Sequence, residues 1–306
     1  MGFFSGKCEP DAADNQWSSY CPSVPVAFLF FVLFSVSFVF HCFQALRHRQ
    51  LFCLVMITGV LWEVAAFASR VYSAKSPTQK GVFDTSYLLL ILAPVCVNAF
   101  DYMVVSRLVR RFLFRQRVCG LSGRVMGKLF VCCDIVSFIV QIGGGLMTLS
   151  SKSSTEKTGL HILTFGVVFQ QALIVFFFVV TVVCGRKTAY TVRNSQTIQA
   201  GIQKTLHVVQ GSLILISYRI IYRIVEFSSG EGSSLNSYID NHEWCVYVFD
   251  AGPMFLAVLL MNIWHPGAVL KKSKDYYDDS VPVAEMEHQP LATTPSPYEH
   301  EELQVR

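Results

Sequence analysis

Seven separate stretches of about twenty apolar residues constrain this chain more than any other feature of its sequence. A helix that rises 1.5 Å per residue needs about 20 residues to cross the roughly 30 Å hydrocarbon layer of a bilayer. The sequence therefore predicts an all-α integral membrane protein with seven transmembrane helices. The stretches cover residues 23–43, 51–72, 83–106, 128–148, 159–184, 206–227 and 244–264.

Composition excludes the common soluble classes. Only 15% of the residues are charged and 52% are apolar or aromatic, with a mean hydropathy of +0.43, whereas soluble domains carry about 25% charge. Membrane lipids, and not nucleic acid, are the expected partners. We predict three parts: an extracellular N-terminal segment (residues 1–22), a seven-helix membrane domain (23–267) and a disordered cytoplasmic tail (268–306), which is acidic and contains proline.

The distribution of Lys and Arg predicts the orientation, because cytosolic loops are enriched in both residues. Seventeen of them fall on the side of the first, third and fifth loops and the C-terminal tail, against five on the other side. We therefore predict an extracellular N-terminus and a cytosolic C-terminus. Residues 1–22 lack a basic segment followed by a cleavage site, so the first span is expected to remain as a signal anchor.

Ionisable side chains in or beside the spans are the candidates for a functional site, because a charge in hydrocarbon costs about 3 kcal/mol or more unless it is paired or hydrated. Seven of them lie in the second, sixth and seventh stretches or directly before the seventh, at spacings that place them on one face of each helix. Three guanidinium groups thus face four carboxylates. Two interpretations stay open. The charges form either an ion-pair network that fixes helix register, or a hydrated cavity in which a charged lipid headgroup replaces one member of an ion pair. The seven are Glu63, Arg70, Arg219, Arg223, Glu226, Glu243 and Asp250.

A second, inner polar cluster is predicted toward the cytosolic half of the spans. Polar side chains in spans commonly hydrogen-bond to neighbouring helices. A metal site is the alternative, but no two potential ligands stand at ligand spacing on one helix, so we predict neither a metal nor a cofactor. The cluster consists of His41, Asp134, Gln141, Asn262 and His265.

Known catalytic motifs are absent from the sequence, which contains no GxxxxGK[ST], GxSxG, CxxC or HExxH pattern. We therefore do not predict an enzyme. Glycines 143–145 indicate either close helix packing or a face open to an acyl chain, and Pro94 and Pro253 indicate a bend or a freed carbonyl. Cys8 and Cys21 are candidates for a disulfide on the outer side, with Cys245 as a competing partner.

The polar residues and their order resemble those of the fungal Rta-like proteins, a seven-span family also called lipid-translocating exporters. The resemblance covers nearly all of residues 20–267. It is carried by Tyr20-Cys21-Pro22-Ser23, His41, Glu63 with Arg70, Leu92-Ala93-Pro94, Asp134 with Gln141 and the triple glycine, Arg219, Tyr222-Arg223, Glu226, Glu243, Phe249-Asp250, Pro253, Asn262 and His265-Pro266-Gly267.

The resemblance implies a fungal membrane protein, at the plasma membrane or an endomembrane, that moves amphipathic lipids such as sphingoid long-chain bases, or sterol-like toxicants, and confers resistance to them. Under this hypothesis Glu226→Gln or Asp250→Asn leaves a folded protein but abolishes resistance to added long-chain base. Two alternatives stay open. One is a heptahelical sensor of lipid stress that signals through its basic third loop and tail, and the other is an intramembrane zinc-dependent lipid hydrolase.

Overall fold

The computed structural model describes residues 17, 21–76, 78–113, 116–148, 153–191, 196–228, 234–267 and 269–270. Within them the all-α fold with seven spans is confirmed. The first six spans are α1 (Val24–His48), α2 (Cys53–Lys75), α3 (Lys80–Phe112), α4 (Gly123–Thr148), α5 (Ser153–Thr191) and α6 (Gln196–Ser228). A short helix, α7 (Ser234–Asn241), precedes the seventh span, which joins a π-helical segment (Val246–Ala251) to α8 (Gly252–Ile263).

One feature outside the helices was not predicted from the apolar pattern. A two-stranded antiparallel hairpin, β1 (Arg117–Val118) and β2 (Leu121–Ser122), joins α3 to α4. Its turn consists of Cys119 and Gly120, both with positive φ, at 51° and 79°, which is typical of a two-residue hairpin turn. Most of the predicted N-terminal segment and nearly all of the predicted tail lie outside the described residues.

The spans pack mainly against their neighbours in sequence, and α8 closes the bundle by packing on both α1 and α6. Helix α3 lies at the centre, since it contacts α2, α4, α5 and α6, and its most apolar window is 61% buried against 22–44% for the other spans. Large apolar side chains such as Phe165 and Ile139 are instead more than 60% exposed on the outer faces. Lipid is the solvent that tolerates such a surface, so the chain is an integral membrane protein.

Close packing explains the middle glycine of the triplet in α4. A Cβ atom at Gly144 would lie 2.5 Å from the backbone nitrogen of Leu163 and 2.8 Å from the carbonyl oxygen of Gly159, both in α5. At Gly143 a Cβ atom would meet nothing within 4 Å. One glycine is therefore required where two helices cross, and its neighbour is not.

The bundle has two ends, which we name after α1. The Ser23 end contains the start of α1, the end of α2, the start of α3, the end of α6 and α7. The His48 end contains the end of α1, the end of α3, the hairpin and the start of α4. That the Ser23 end faces outward remains a prediction from the loop charges.

Candidate functional site

Asp250 is the centre of a buried ion-pair network between α6 and the seventh span. Its carboxylate is 1% exposed, and its two oxygens accept hydrogen bonds from Arg219 Nε and from the guanidinium of Arg223. The two arginines lie four residues apart and therefore face the same way. An unpaired charge is costly in a low dielectric, and pairing the carboxylate with guanidinium groups reduces that cost for both.

Pro94 explains how Arg219 also reaches α3. A proline inside a helix has no N–H group, so the carbonyl four residues earlier loses its helical partner. That carbonyl belongs to Leu90, and it accepts a 2.7 Å hydrogen bond from Arg219. Arg219 thus joins the third, sixth and seventh spans.

A π-helical segment presents Asp250 to the two arginines. The segment covers Val246–Ala251 and ends where Gly252 donates its backbone N–H to the carbonyl of Tyr247. It stands directly before Pro253, which is at the start of α8. Single π-helical turns widen a helix locally and are frequent at functional sites.

The two remaining carboxylates near Asp250 differ from it and from each other. Glu226 pairs with Arg223 at 2.8 Å, and its side chain is 16% exposed. Glu63, in α2, is 1% exposed, and neither of its carboxyl oxygens has a hydrogen-bond partner among the described residues. The charges of Arg219, Arg223 and Asp250 nevertheless act on Glu63. The predicted charge set contains four acidic residues and three arginines, and Glu63 is the acidic residue that pairs with none of the arginines.

A separate group at the Ser23 end is formed around Arg70 and Glu243. Arg70 donates to Glu243 Oε1 and to the Tyr247 hydroxyl, both at 3.2 Å, and the Tyr247 hydroxyl donates to the same Glu243 oxygen at 2.8 Å. The other oxygen of Glu243 accepts the backbone N–H of Ser23 at 2.7 Å. Trp17 covers Arg70, with the guanidinium carbon 4.5 Å from the indole centroid. This group ties the start of α1 and the end of α2 to the seventh span.

The seven predicted charges therefore fall into two groups, one around Asp250 and one around Arg70 and Glu243, and the space beside the Asp250 network is small. The cavity next to Arg219 and Arg223, which Pro94, Gln141 and Gln170 also line, has a volume of about 30 Å³. That volume suits about one water molecule. The charges of the network thus face one another across a cavity that is too small for a lipid headgroup.

A larger apolar groove lies at the same end, between α6, α7 and the start of the seventh span. Its volume is about 320 Å³ and its lining surface is entirely apolar. Glu226 is not among the lining residues, but it follows Val225 and stands one turn beyond Tyr222 on α6, and its charge acts on Tyr222 and Cys245 of the lining. The lining residues are Tyr218, Ile221, Tyr222, Val225, Tyr238, Ile239, Trp244, Cys245 and Phe249.

The five residues predicted as an inner polar cluster fall into two places. On α4, Asp134 accepts a hydrogen bond from Tyr102 of α3 at 3.1 Å, whereas Gln141 donates to Gln170 of α5 at 3.0 Å. Depth along a helix fixes neither its rotation nor its neighbour, so these two residues, seven positions apart on α4, meet different helices. His41 instead lies in α1, Asn262 in α8, and His265 two residues after the end of α8.

The α1 side of this predicted cluster is held by short polar contacts. Asn262 donates to Ser37 Oγ at 2.5 Å. The rings of His41 and His265 are 6.4 Å apart, and His265 stacks on His48 at 5.1 Å. Burial lowers the pKa of His265 to about 4, and the two neighbouring histidines add to the decrease. His265 is therefore neutral near pH 7 and adds no charge to this end of the bundle.

Cysteine and metal chemistry contribute little to the site. Cys21 is disulfide-bonded, but Cys8 lies outside the described residues, so their pairing remains a prediction; Cys245 carries a free thiol. Among the described residues, no group of three or more His, Cys, Asp or Glu side chains is arranged to hold a metal ion. The zinc hydrolase hypothesis thus gains no geometric support there.

Comparison with known proteins places the chain in a family. The family model described as RTA1 like protein matches residues 56–273. The chain belongs to the RTA1-like family. The matched range runs from the first turn of α2 to beyond α8 and contains all seven residues of the predicted charge set.

Several proteins similar to this chain are named for transport or uptake. The probable lipid transporter atnI of Emericella nidulans is 31% identical over 260 residues, 82% of this chain and 67% of that protein. Protoporphyrin uptake protein 1 of Saccharomyces cerevisiae is 32% identical over 211 residues, 67% of this chain and 66% of that protein. The sphingoid long-chain base transporter RSB1 of the same species is 25% identical over 299 residues, 85% of this chain and 77% of that protein.

The chain thus spans about two thirds of the length of the first two of these RTA1-like relatives. No solved structure matches it significantly. Lipid transport is therefore supported at the level of the family, by the names of relatives.

Sequence reasoning missed three groups that complete the site. Trp17 stands in a polar segment and carries no pattern of its own. The Leu90 carbonyl is signalled only indirectly, by Pro94 four residues later. The apolar groove depends on α7, which is eight residues long and too short and polar to be recognised as a span.

Proposed function

We propose that this chain moves an amphipathic lipid with a cationic head, such as a sphingoid long-chain base, between the leaflets of a membrane, and that Glu226 receives the head. The proposal rests on the position of Glu226, a partly exposed carboxylate that follows the groove residue Val225 and lies one helical turn from the groove residue Tyr222. A carboxylate attracts an ammonium group, and an aromatic groove accepts an alkyl chain. The groove's volume of about 320 Å³ lies at the lower end of the range typical of ligand pockets.

Arg223 makes an exchange at Glu226 possible without leaving a buried charge unpaired. Its guanidinium contacts two carboxylates, Glu226 and Asp250. When an ammonium group takes over Glu226, Arg223 keeps Asp250. Because breaking a buried ion pair outright costs about 3–5 kcal/mol, a shared partner lowers the barrier to admitting a charged head.

The same geometry suggests where the lipid enters. The groove opens toward the surface of the bundle beside α6, whereas the cavity at Arg219 has room for about one water molecule. The head therefore meets Glu226 first, and deeper passage needs α3 and α6 to separate. We place the chain in the plasma membrane or an endomembrane of a fungus, with the Ser23 end outside, and propose transport and not catalysis.

Transbilayer movement of a fluorescent sphingoid base in liposomes that contain the purified chain tests the proposal. Glu226→Gln should slow leaflet exchange about tenfold or more, because the amide keeps the shape but not the charge. Asp84→Asn is the matched control, since Asp84 is exposed at the start of α3, at the same end. Equal exchange rates for Glu226→Gln and the unchanged chain, at equal incorporation, would count against the role of Glu226.

The sensor hypothesis predicts a different result. Deleting residues 275–306 and neutralising Arg110, Arg111, Arg115 and Arg117 should abolish a response to lipid stress in cells if the chain signals. Reconstituted lipid movement should survive the same changes if the chain transports. Loss of the cellular response with no lipid movement by the unchanged chain would favour the sensor.

A further inference from the structure

A basic pocket at the His48 end, far from the groove and the Asp250 network, contains charges that the proposed function does not use. Its volume is about 480 Å³ and its surface is mostly polar. Four of its seven lining residues are arginines and two are glutamines, and none is acidic. The lining residues are Gln50, Arg107, Arg110, Arg111, Gln116, Arg124 and Leu270.

Three arginines of the basic pocket, Arg107, Arg110 and Arg124, make no ion pair within the described residues. Arg111 donates to the carbonyl of Leu270 at 2.6 Å, and Arg107 lies 4.0 Å from the ring centroid of Phe52. The like charges of Arg107, Arg110 and Arg124 on one concave surface repel each other, and a bound anion removes that cost.

The backbone around the basic pocket holds its side chains in place. Residues 107, 110 and 111 are spaced to share one face of α3. The hairpin returns the chain to that face: Gly123 donates its N–H to the Gln116 carbonyl at 2.9 Å, and the Ser106 hydroxyl donates to the Gly123 carbonyl. A Cβ atom at Gly123 would lie 2.8 Å from Arg110 Cγ. The start of α4 therefore lies directly against Arg110, and this close approach requires glycine at position 123.

Ordinary topology signals do not explain this arrangement. Enrichment of arginine in cytosolic loops accounts for their number, and the end of α3 favours basic residues. Neither effect requires arginines from α3 and α4 to surround one cavity. The start of α4, moreover, carries the positive end of the helix dipole, which favours an anion and disfavours a basic residue such as Arg124. An anion in the pocket offsets both the arginine charges and this dipole.

We propose that the basic pocket binds the headgroup of a polyanionic phospholipid, one with phosphate groups beyond the diester, in the leaflet at the His48 end. The pocket stands where α3 ends and α4 begins, which is the depth of lipid headgroups. Guanidinium groups bind phosphate through paired hydrogen bonds. Basic pockets of this kind between transmembrane helices suit phosphorylated headgroups. This inference is independent of the proposed transport.

Binding to the full purified chain in detergent tests the proposal with three probes. They are a short-chain phosphatidylinositol bisphosphate, inositol trisphosphate and inorganic phosphate. We expect the short-chain lipid to bind most tightly, because its diester and acyl chains contact the bundle as well, and we expect binding to weaken as salt is raised. Equal affinity for inositol trisphosphate and the lipid would overturn the assignment to a lipid.

Substitution identifies the pocket. Each guanidinium near the headgroup contributes about a fivefold increase in affinity, so Arg110→Gln with Arg124→Gln should weaken lipid binding about 25-fold. Both side chains are exposed, and a normal thermal unfolding profile checks that the variant folds. Arg117→Gln is the matched control, because Arg117 lies in the hairpin between α3 and α4 but does not line the pocket. Unchanged affinity in the double variant would overturn the proposal.

The acidic tail is the competing occupant of the basic pocket, and a truncated chain tests it. Removing residues 271–306 should leave the affinity for the short-chain lipid unchanged within about twofold. If the full chain does not bind and the truncated chain does, the tail occupies the pocket and the lipid proposal is wrong.

Discussion

The Asp250 network and the basic pocket both contain arginines, but the arginines have different environments in the two regions. In the network, Arg219 and Arg223 are buried, share one carboxylate and leave space for about one water molecule. In the pocket, Arg110 and Arg124 are exposed and surround about 480 Å³ with no acidic neighbour in the lining. Compensated guanidinium groups fix helices, whereas uncompensated ones are free to bind a ligand. The difference can be tested by making matched substitutions in the two regions.

The largest effect is expected from Asp250→Asn. Removing this carboxylate leaves two buried guanidinium groups without their shared counter-ion, which typically costs about 3–5 kcal/mol. The midpoint of thermal unfolding in detergent should fall sharply. The structure thus separates Asp250→Asn from Glu226→Gln, which the sequence treated alike as substitutions that leave a folded protein. A midpoint within one degree of the unchanged chain would contradict the network's structural role.

A second test makes the same substitution in both regions. Arg219→Lys should destabilise the chain by about 2 kcal/mol, because a single ammonium group cannot bond both Asp250 and the Leu90 carbonyl as the planar guanidinium does. Arg124→Lys should change the unfolding free energy by no more than about 0.5 kcal/mol, since it is exposed. Equal losses for the two variants would remove the distinction between network and pocket.

A third test extends the comparison to packing in α4. Gly144→Ala should cost about 1–3 kcal/mol, because the new methyl group meets the backbone of α5 and forces the helices apart. Gly143→Ala adds the same methyl group where nothing lies within 4 Å, so its unfolding midpoint should not fall. Unfolding followed by tryptophan fluorescence measures both, and similar losses for the two would mean that α4 crosses α5 elsewhere.

The smallest effect is expected from Glu63→Gln. Glu63 is as buried as Asp250 but makes no hydrogen bond to an arginine among the described residues. The neutral amide removes the carboxylate in excess, so the change in unfolding free energy should be about 1 kcal/mol or less. A loss as large as that of Asp250→Asn would show that Glu63 is an equal member of the network.

The spans were predictable from the sequence because their signal is local. A continuous apolar run defines a helix in a membrane, so each predicted span overlaps the observed one and differs mainly at the ends; α3, predicted as 83–106, covers Lys80–Phe112. Spacing along α6 likewise placed Arg219 and Arg223 on one face. Both inferences need only the periodicity of a single helix.

Pairing between helices was not predictable, because it depends on how each helix is rotated and which helix lies beside it. Nothing in the sequence assigns Arg70 to Glu243 and Arg219 to Asp250, when the reverse assignment would balance charge equally well. The π-helical segment shifts the face of the seventh span at Asp250, and an ideal helix drawn from the sequence lacks that shift. The basic pocket required a hairpin of two-residue strands, too short to leave an alternating pattern.

The missing N–H group of Pro94 couples two spans that are far apart in sequence. The Leu90 carbonyl, which has no helical donor, accepts a hydrogen bond from Arg219. A carbonyl without a hydrogen bond in hydrocarbon costs several kcal/mol. Any motion that parts α3 from α6 must therefore supply a substitute donor, and water is the smallest one. If α3 and α6 separate, water must therefore enter between them at the same time to bond the Leu90 carbonyl. Helix separation and hydration of the membrane interior would then occur together.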